Sequence, residues 1–239
     1  MLRYLKRKIK PFAVTDFRNE KMADAYQKST SDDLLHMGFE RPQMLKMVGP
    51  VERKSIAIAG SGPGFYAAAL LKGGNEVTCI DSSEAMHQLA SEKLADRVHY
   101  VLHDLTNPMP LESQAFDLIV SPLTIQYISD LVKLFSEFNR ILKPGGRVIF
   151  STVHPFVNKG ENYFEQEEIL QEFSEYKVRI RGFRRPLNHF FQAISQNGFT
   201  INAVHEPLPD QSTAQINEDV YQALCKQPLF IFFDIQKQS

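Results

Sequence analysis

Residues 55–70 read Ser-Ile-Ala-Ile-Ala-Gly-Ser-Gly-Pro-Gly-Phe-Tyr-Ala-Ala-Ala-Leu, and this stretch decides the fold. An apolar run ends at Gly60, glycines follow at alternate positions, and a run of helix-forming residues begins. The pattern predicts a buried parallel strand, a tight turn and the start of a helix. Gly60 and Gly62 leave space for a close ligand, and Gly64 lets the helix pack against the strand.

Strand and helix patterns alternate outward from this turn. Further strands are predicted at 76–80, 97–102, 116–121, 147–151, 199–204 and 229–235, and helices at 20–28, 42–48, 84–94, 131–142, 186–196 and 217–226. Alternation of this kind means right-handed crossovers and a mostly parallel sheet. The stretch 154–183 mixes aromatic and charged residues without a clean period, and it is expected to form a lid or an insert over the ligand crevice.

The composition is that of an ordinary soluble globular protein. Hydrophobic residues make up 43%, the formal net charge is −1, and the two cysteines lie far apart without metal-ligand spacing. We therefore expect a cytoplasmic protein with no metal and no membrane span, because no apolar run reaches the ~18 residues that a span requires. The basic residues at positions 3–10 are expected to form a solvated arm, with a nucleic-acid-binding arm as the alternative.

Polar residues follow several of the predicted strands directly. Asp81 lies 17 residues beyond Gly64, where a carboxylate can accept hydrogen bonds from both hydroxyls of a ribose, although it could also only cap the next helix. Asp104 could accept from an exocyclic adenine amine, or close an Asx turn. In a parallel sheet the carboxyl ends of the strands share one edge, so we expect these side chains and Ser121 to surround one crevice.

The chain resembles the class I S-adenosylmethionine-dependent methyltransferases, in the type 11/25 branch that methylates small molecules. The resemblance is carried by residues 59–64, 79–86, 103–105 and 116–123, by Leu-Lys-Pro-Gly-Gly at 142–146, and more loosely by Glu40-Arg41-Pro42 and His154-Pro155. It implies a three-layer α/β/α, Rossmann-like, doubly wound sheet of seven mostly parallel strands, with an antiparallel C-terminal strand. It also implies one domain over 1–239, with an N-terminal arm and helices at 1–50, a cofactor-binding core at 51–152, and a lid or substrate-side segment with the C-terminal strands at 153–239.

By the same resemblance, the cofactor S-adenosylmethionine would be held by residues from several loops. Gly60, Ser61, Gly62 and Gly64 would line its methionine and ribose part, and Asp81 would take the ribose hydroxyls. Ser82 and Met86 would flank the adenine, while Asp104 and the Leu105 backbone would bind its amine. Ser121 and Leu123 would close the methionine end, and Tyr26 would lie over the cofactor. The product would be S-adenosylhomocysteine.

The sequence also contains candidates for residues that contact the methyl acceptor. His154 follows the fifth predicted strand and is the candidate base or orienting group, with a structural histidine as the alternative. Tyr163, Arg185 and His189 are the other candidates, each with a structural or solvated alternative. The chain also departs from the family's pattern, since Ile58 stands where an acidic residue is usual and Gln126 where a histidine is frequent.

The sequence therefore predicts an enzyme that transfers a methyl group to O, N or C of a small-molecule acceptor. Alternatives are a non-catalytic cofactor-binding protein on the same fold, which the two departures motivate, and an RNA or protein methyltransferase. A nicotinamide-dependent dehydrogenase is disfavoured by the Leu-Lys-Pro-Gly-Gly motif. We expect no membrane partner, no nucleic acid, and either a monomer or a homodimer.

Overall fold

The computed structural model describes residues 13–18, 34–157, 162–173 and 178–238. The strands in this part of the chain are β1 (Ala13–Thr15), β2 (Ser55–Ala59), β3 (Glu76–Asp81), β4 (His99–Leu102), β5 (Phe116–Ser121), β6 (Leu142–Val153), β7 (Glu167–Phe173), β8 (Val178–Arg184), β9 (Phe199–His205) and β10 (Phe230–Lys237). The predicted helix at 20–28 lies outside the described residues.

The α-helices are α1 (Arg41–Val48), α2 (Phe65–Leu70), α3 (Glu84–Leu94), α4 (Leu131–Ile141), α5 (Leu187–Gln196), α6 (Gln211–Ile216) and α7 (Glu218–Leu224). A π-helical stretch, Leu34–Glu40, leads into α1, and 3₁₀ turns occur at Leu71–Gly73, Ala95–Arg97 and Ile125–Tyr127. Side chains cap two helices that frame the ligand crevice. Ser83 accepts from the Met86 N–H at the start of α3, and Asp130 accepts from the Lys133 N–H at the start of α4.

The large sheet has seven strands in the order β4-β3-β2-β5-β6-β10-β9. Neighbours from β4 to β6 are parallel, and β10 is antiparallel to both β6 and β9. The predicted doubly wound sheet with one antiparallel C-terminal strand is confirmed. Its strand order reverses between β2 and β5, which is where such sheets bind their ligands.

Apolar residues cover both faces of this sheet. Because successive side chains of a strand point to opposite faces, Ala57 and Ala59 of β2 pack in one hydrophobic cluster and Ile56 and Ile58 in the other. The first cluster includes α4 and α5, and the second includes α1, α2 and α3. The three-layer arrangement follows from these two cores.

A second, three-stranded sheet has the order β1-β8-β7. Its strands β7 and β8 come from the region that was expected to form a lid or insert. Its Gly182 lies against the 3₁₀ turn after β5, because a Cβ built there would be 3.5 Å from the Gln126 carbonyl oxygen and 3.7 Å from the Tyr127 ring. The small sheet therefore packs on the segment that borders the crevice.

Two elements differ from the sequence prediction. β6 begins at Leu142 instead of Arg147, since the Lys-Pro-Gly-Gly turn already runs alongside β5, with Phe116 paired to Leu142 and a register irregularity before Leu118. The segment before α7, for which no helix is predicted, contains α6 with Thr213 buried in it. None of the helices in the described part of the chain is both long and apolar enough to cross a membrane.

Candidate active site

A cleft lies at the carboxyl ends of β2, β3, β4 and β5. It has about 660 Å³ of empty space, including the part that is open to solvent. Its position is the switch point of the strand order, as the sequence predicted. The residues that line it are Phe17, Gly60, Gly62, Asp81, Ser82, Met86, His103, Asp104, Leu105, Pro122, Leu123, Thr124, Tyr127 and Ile128. Of the predicted cofactor residues, eight are in this set.

The glycine turn and Asp81 form one hydrogen-bonded unit. The backbone N–H of Gly62 donates to Asp81 Oδ2 at 2.9 Å, and the backbone N–H of Ser83 donates to Asp81 Oδ1 at 3.0 Å. Each carboxylate oxygen has two lone pairs, so each can accept one further hydrogen bond from a hydroxyl in the cleft. Burial raises the pKa of Asp81, and the two N–H donors oppose that rise.

Gly60 and Gly62 of the turn differ in the structural reason that each position requires glycine. A Cβ on Gly60 would lie 2.1 Å from the Thr124 hydroxyl oxygen, so no side chain fits between the turn and the opposite wall. A Cβ on Gly62 would meet nothing within 4 Å, and its φ is +52°. Gly62 therefore borders open space in the cleft, which a ligand could occupy and a side chain would fill.

Asp104 combines the two roles that the sequence left open. Its Oδ1 accepts from the backbone N–H of Thr106 at 2.9 Å and from the Thr106 hydroxyl at 2.7 Å, which is an Asx turn. No described residue donates a hydrogen bond to its Oδ2. The loop is thus closed by one oxygen, and the other remains for a ligand donor.

Hydrogen bonds from buried residues fix the cleft wall at Leu123, opposite the glycine turn. The Leu123 N–H donates to both the carbonyl oxygen and the hydroxyl of Ser151, at 3.1 and 3.0 Å, while Leu123 has a φ of +42°. The Ser151 hydroxyl donates to the buried Glu40 carboxylate at 2.6 Å, and the Tyr66 hydroxyl donates to its other oxygen at 2.6 Å. This network secures a non-glycine residue in the left-handed region, where strain of about 1 kcal/mol needs support.

Several predicted cofactor residues lie behind the cleft instead of in it. Ser121 is fully buried, and its hydroxyl donates to the Ala59 carbonyl oxygen at 3.1 Å, which links β5 to β2 at the switch point. Ser61 is buried, and Gly64 packs against α3, since a Cβ there would be 2.8 Å from the Leu94 side chain. Tyr26 lies outside the described residues.

The structure gives His154 two hydrogen-bonding partners away from the cleft lining. Its Nε2 is 2.6 Å from Glu206 Oε1, and its Nδ1 accepts from the Phe156 N–H at 3.1 Å. An accepting Nδ1 means that Nε2 carries the proton and donates to Glu206. Burial holds the pKa of His154 below its usual range, although the Glu206 carboxylate opposes this shift. The geometry is that of a structural histidine.

Arg185 and His189 line a second cavity, separate from the lining of the cleft. Tyr163 is also engaged elsewhere, because its hydroxyl accepts from the Leu187 N–H at 3.2 Å and its ring stacks on Phe156 at 5.6 Å. The structure therefore does not bring the predicted acceptor-side residues to the cleft that holds the predicted cofactor residues.

Sequence reasoning assigned no role to six of the lining residues, namely Phe17, His103, Pro122, Thr124, Tyr127 and Ile128. Four of them follow Ser121 closely, and a strand-end loop of this kind could have been recognised as cleft wall. Phe17 could not, since it comes from the N-terminal segment and reaches the cleft through an edge-to-face contact with Tyr127, with ring centroids 5.0 Å apart.

The two departures from the family's pattern have structural explanations. Ile58 is completely buried in the hydrophobic cluster behind the sheet. Gln126 donates from Nε2 to the Leu123 carbonyl oxygen at 2.7 Å and accepts from the Thr152 hydroxyl at 3.2 Å. Gln126 therefore supports the cleft wall from within the core.

Residues 58–150 match the family model described as "Methyltransferase domain". Residues 58–150 therefore correspond to a methyltransferase domain. The match covers β2 to β6 and includes most of the cleft. Together with the comparisons below, it confirms the resemblance to S-adenosylmethionine-dependent methyltransferases of the type 11 kind.

Curated relatives of this methyltransferase domain act on different acceptors. The chain is 31% identical over 131 residues to a malonyl-(acyl-carrier protein) O-methyltransferase of Serratia marcescens, covering 55% of this chain and 47% of that protein. It is 30% identical over 154 residues to a demethylmenaquinone methyltransferase of Clavibacter sepedonicus, covering 61% of this chain and 62% of that protein. The chain thus spans only about half of the length of such relatives.

The fold is shared over a larger part of the chain. An S-adenosylmethionine-dependent methyltransferase of Mesorhizobium loti superposes with a TM-score of 0.70 at 23% identity, and the match covers 87% of this chain and 100% of that one. This likeness establishes the methyltransferase fold, including strands beyond the part that the family model matches.

Proposed function

We propose that this methyltransferase domain binds S-adenosylmethionine in the cleft and transfers its methyl group to a small organic acceptor. The observation that carries the proposal is the position of two carboxylates with free accepting capacity, Asp81 and Asp104, on the same cleft as a glycine turn whose Gly62 faces open space. Relatives that are named as a malonyl-(acyl-carrier protein) O-methyltransferase and a demethylmenaquinone methyltransferase support it.

The residues present suit this cofactor. Asp81 would accept the ribose hydroxyls through its remaining lone pairs, and Asp104 Oδ2 would accept the adenine amine. The buried Met86 side chain and Leu105 provide apolar surface for the flat base. Leu123, held by Ser151 behind it, and Thr124 would border the methionine end.

S-adenosylmethionine supplies an electrophilic methyl group on a sulfonium, so the protein mainly has to align the acceptor and exclude water. Among the described residues that line the cleft, Asp81, His103, Asp104 and Tyr127 carry acidic or basic side chains. Burial raises the pKa of Tyr127 to about 12, and its hydroxyl donates to Gln171 Oε1 at 3.0 Å. Tyr127 is therefore a poor base at neutral pH, whereas an acceptor atom that carries no proton to be removed, such as a carboxylate oxygen, needs no base at all.

Calorimetric titration of the purified chain with S-adenosylhomocysteine tests the first half of the proposal. Saturable binding is expected, and its absence would contradict the proposal. Incubation with S-adenosylmethionine and a panel of carboxylates, amines and phenols, followed by mass spectrometry, tests the second half. A mass gain of one methylene is expected, with carboxylates reacting best.

Binding without any product across such a panel would favour a non-catalytic cofactor-binding protein instead. RNA binding that falls steeply with salt would favour a nucleic-acid methyltransferase.

A further inference from the structure

Two neighbouring arginines at the end of β8 are both buried but have different partners. Arg184 is 4% exposed and lies 3.1 Å from the Glu167 carboxylate. Arg185 is 2% exposed, and no carboxylate of a described residue forms an ion pair with it. The partners of Arg185 are neutral: the carbonyl oxygens of Ile125, Ile128 and Ser129, the Gln166 side-chain oxygen, and the Phe183 ring.

Neutral oxygens satisfy the hydrogen bonds of a guanidinium but do not neutralise its charge. Burial accordingly lowers the pKa of Arg185 to about 10. A buried cation without a counter-ion is costly, and proteins normally keep one paired. Arg184, one residue away, shows the paired arrangement in this same chain.

Arg185 forms part of the wall of a groove with about 860 Å³ of empty space, open to solvent. The other residues that line it are Ser129, Asp130, Leu131, Val132, Gln166, His189, Gln192, Ala193 and Gln196. The lining is rich in amide and hydroxyl groups that can donate to an oxyanion. Burial and the charge of Arg185 together lower the pKa of His189, so this side chain also experiences the positive field.

The one carboxylate in this groove lining is already engaged. Asp130 Oδ1 accepts from the Lys133 N–H at 3.1 Å, where it caps α4, and Asp130 Oδ2 lies 3.5 Å from Lys133 Nζ. The first turn of α4, with Leu131 and Val132, contributes the positive end of a helix dipole to the same wall. Asp130 thus has its own cationic partner, whereas Arg185, the only arginine or lysine in this lining, has no carboxylate partner among the described residues.

We propose that this groove binds a small oxyanion, of the carboxylate or phosphate kind, with Arg185 as its counter-charge and His189 and the glutamines as hydrogen-bonding neighbours. The site is distinct from the cofactor cleft. The two share only the segment 125–129 as a partition, because Ile128 lines the cleft and Ser129 lines the groove.

The test is calorimetric titration of the full chain with sodium phosphate and, separately, with sodium malonate, against sodium chloride at equal ionic strength. Saturable binding of either probe supports the site and identifies its head-group chemistry. If the titration heats for phosphate and for malonate both equal those for sodium chloride, the proposal is overturned. The titration is repeated with saturating S-adenosylhomocysteine, and binding should persist; competition would place the anion in the cofactor cleft and contradict the proposal.

Variants locate the site. Gln192→Glu introduces a negative charge at an exposed position in the groove lining, and it should weaken anion binding about tenfold without disturbing the core. Gln238→Glu makes the same change at an exposed position near the C-terminus and should leave binding unchanged. Arg185→Gln should abolish anion binding. If that variant does not fold, the comparison of Gln192→Glu with Gln238→Glu decides whether the groove is the binding site. Equal binding by the Gln192 and Gln238 variants would refute the assignment.

Discussion

The carboxylate of Asp81 accepts a hydrogen bond from the Gly62 N–H at 2.9 Å, which joins the end of β3 to the glycine turn after β2. Two residues that are 19 positions apart in the chain, one in the turn and one at the strand end, are thereby fixed relative to each other before any ligand binds. Preorganisation of this kind lowers the entropy cost of ligand binding. The cleft's affinity for an adenosyl group should therefore depend strongly on this one carboxylate.

Replacing Asp81→Ala should weaken S-adenosylhomocysteine binding by about 2–3 kcal/mol, or roughly 30- to 150-fold in Kd. The variant removes two acceptors for ribose hydroxyls and also the acceptor for the Gly62 N–H. Calorimetry measures the effect, and Asp96→Ala, at an exposed position after α3, is the matched control. An unchanged Kd in the Asp81 variant would remove the ribose assignment.

Gly62→Ala should abolish cofactor binding while it lowers the stability of the fold only slightly. The new methyl group meets no protein atom within 4 Å, so the loss of stability should be only about 1–2 kcal/mol, from the positive φ. Cofactor binding should nevertheless be lost, because the methyl group occupies ligand space. Gly60→Ala, whose Cβ would lie 2.1 Å from the Thr124 hydroxyl, should instead lower Tm strongly. Thermal denaturation and calorimetry of both variants check the contrast.

The affinity for S-adenosylhomocysteine should decrease on acidification. Ribose hydroxyls donate to the ionised form of Asp81, and burial raises the pKa of this carboxyl above the ordinary aspartate value. Protonation, and with it the loss of affinity, should therefore begin at a higher pH than for an exposed aspartate. Calorimetry over a pH series measures the profile. Asp81→Asn, which cannot titrate, should bind more weakly and without this pH dependence; a variant profile identical to the parent's would assign the effect to another group.

His154 should stabilise the fold instead of reacting. His154→Gln breaks at least one buried hydrogen bond and should lower stability by about 1–3 kcal/mol, with Kd and turnover within about twofold of the parent. His99→Gln, at an exposed position of β4, is the control. Turnover lost at unchanged Tm would instead support a catalytic role for His154.

The same histidine should affect stability as a function of pH. Burial holds the pKa of His154 below its usual range, so the unfolded chain takes up this proton first as the pH falls. The parent should lose stability on acidification through the usual histidine range, and His154→Gln should lose less. Denaturant unfolding at neutral and mildly acidic pH measures the difference, and equal losses in both proteins would exclude His154 as the source.

Phe17 should contribute to the affinity of the cleft. Phe17→Ala removes an edge-to-face contact with Tyr127, worth about 0.5–1.5 kcal/mol, and opens one wall. S-adenosylhomocysteine should bind about two- to tenfold more weakly. Phe164→Ala is the control, because Phe164 is 76% exposed and lies outside the cleft lining. Equal effects of the two substitutions would show that Phe17 has no specific role.

The residues close to the glycine turn were predictable because local rules decide them. An apolar run, alternate glycines and a carboxylate at the next strand end specify a strand, a turn and a crossover without reference to distant parts of the chain. Asp81, Met86, Asp104 and Leu105 reach the cleft for this reason, since each lies at the end of a strand of one parallel sheet or within five residues after it.

Only the tertiary structure could place the residues whose neighbours come from far along the chain. His154 forms a hydrogen bond with Glu206, and Phe17 lies at the cleft because it packs on Tyr127. Arg185 lines a separate groove, where it donates hydrogen bonds to carbonyl oxygens of the segment 125–129. Side-chain type indicates what such residues can do, but the packing of distant segments decides which cavity they face. The sequence by itself thus determined the sheet and the edge at which its polar strand ends meet, whereas the packing of segments around that sheet decided what lies beside this edge.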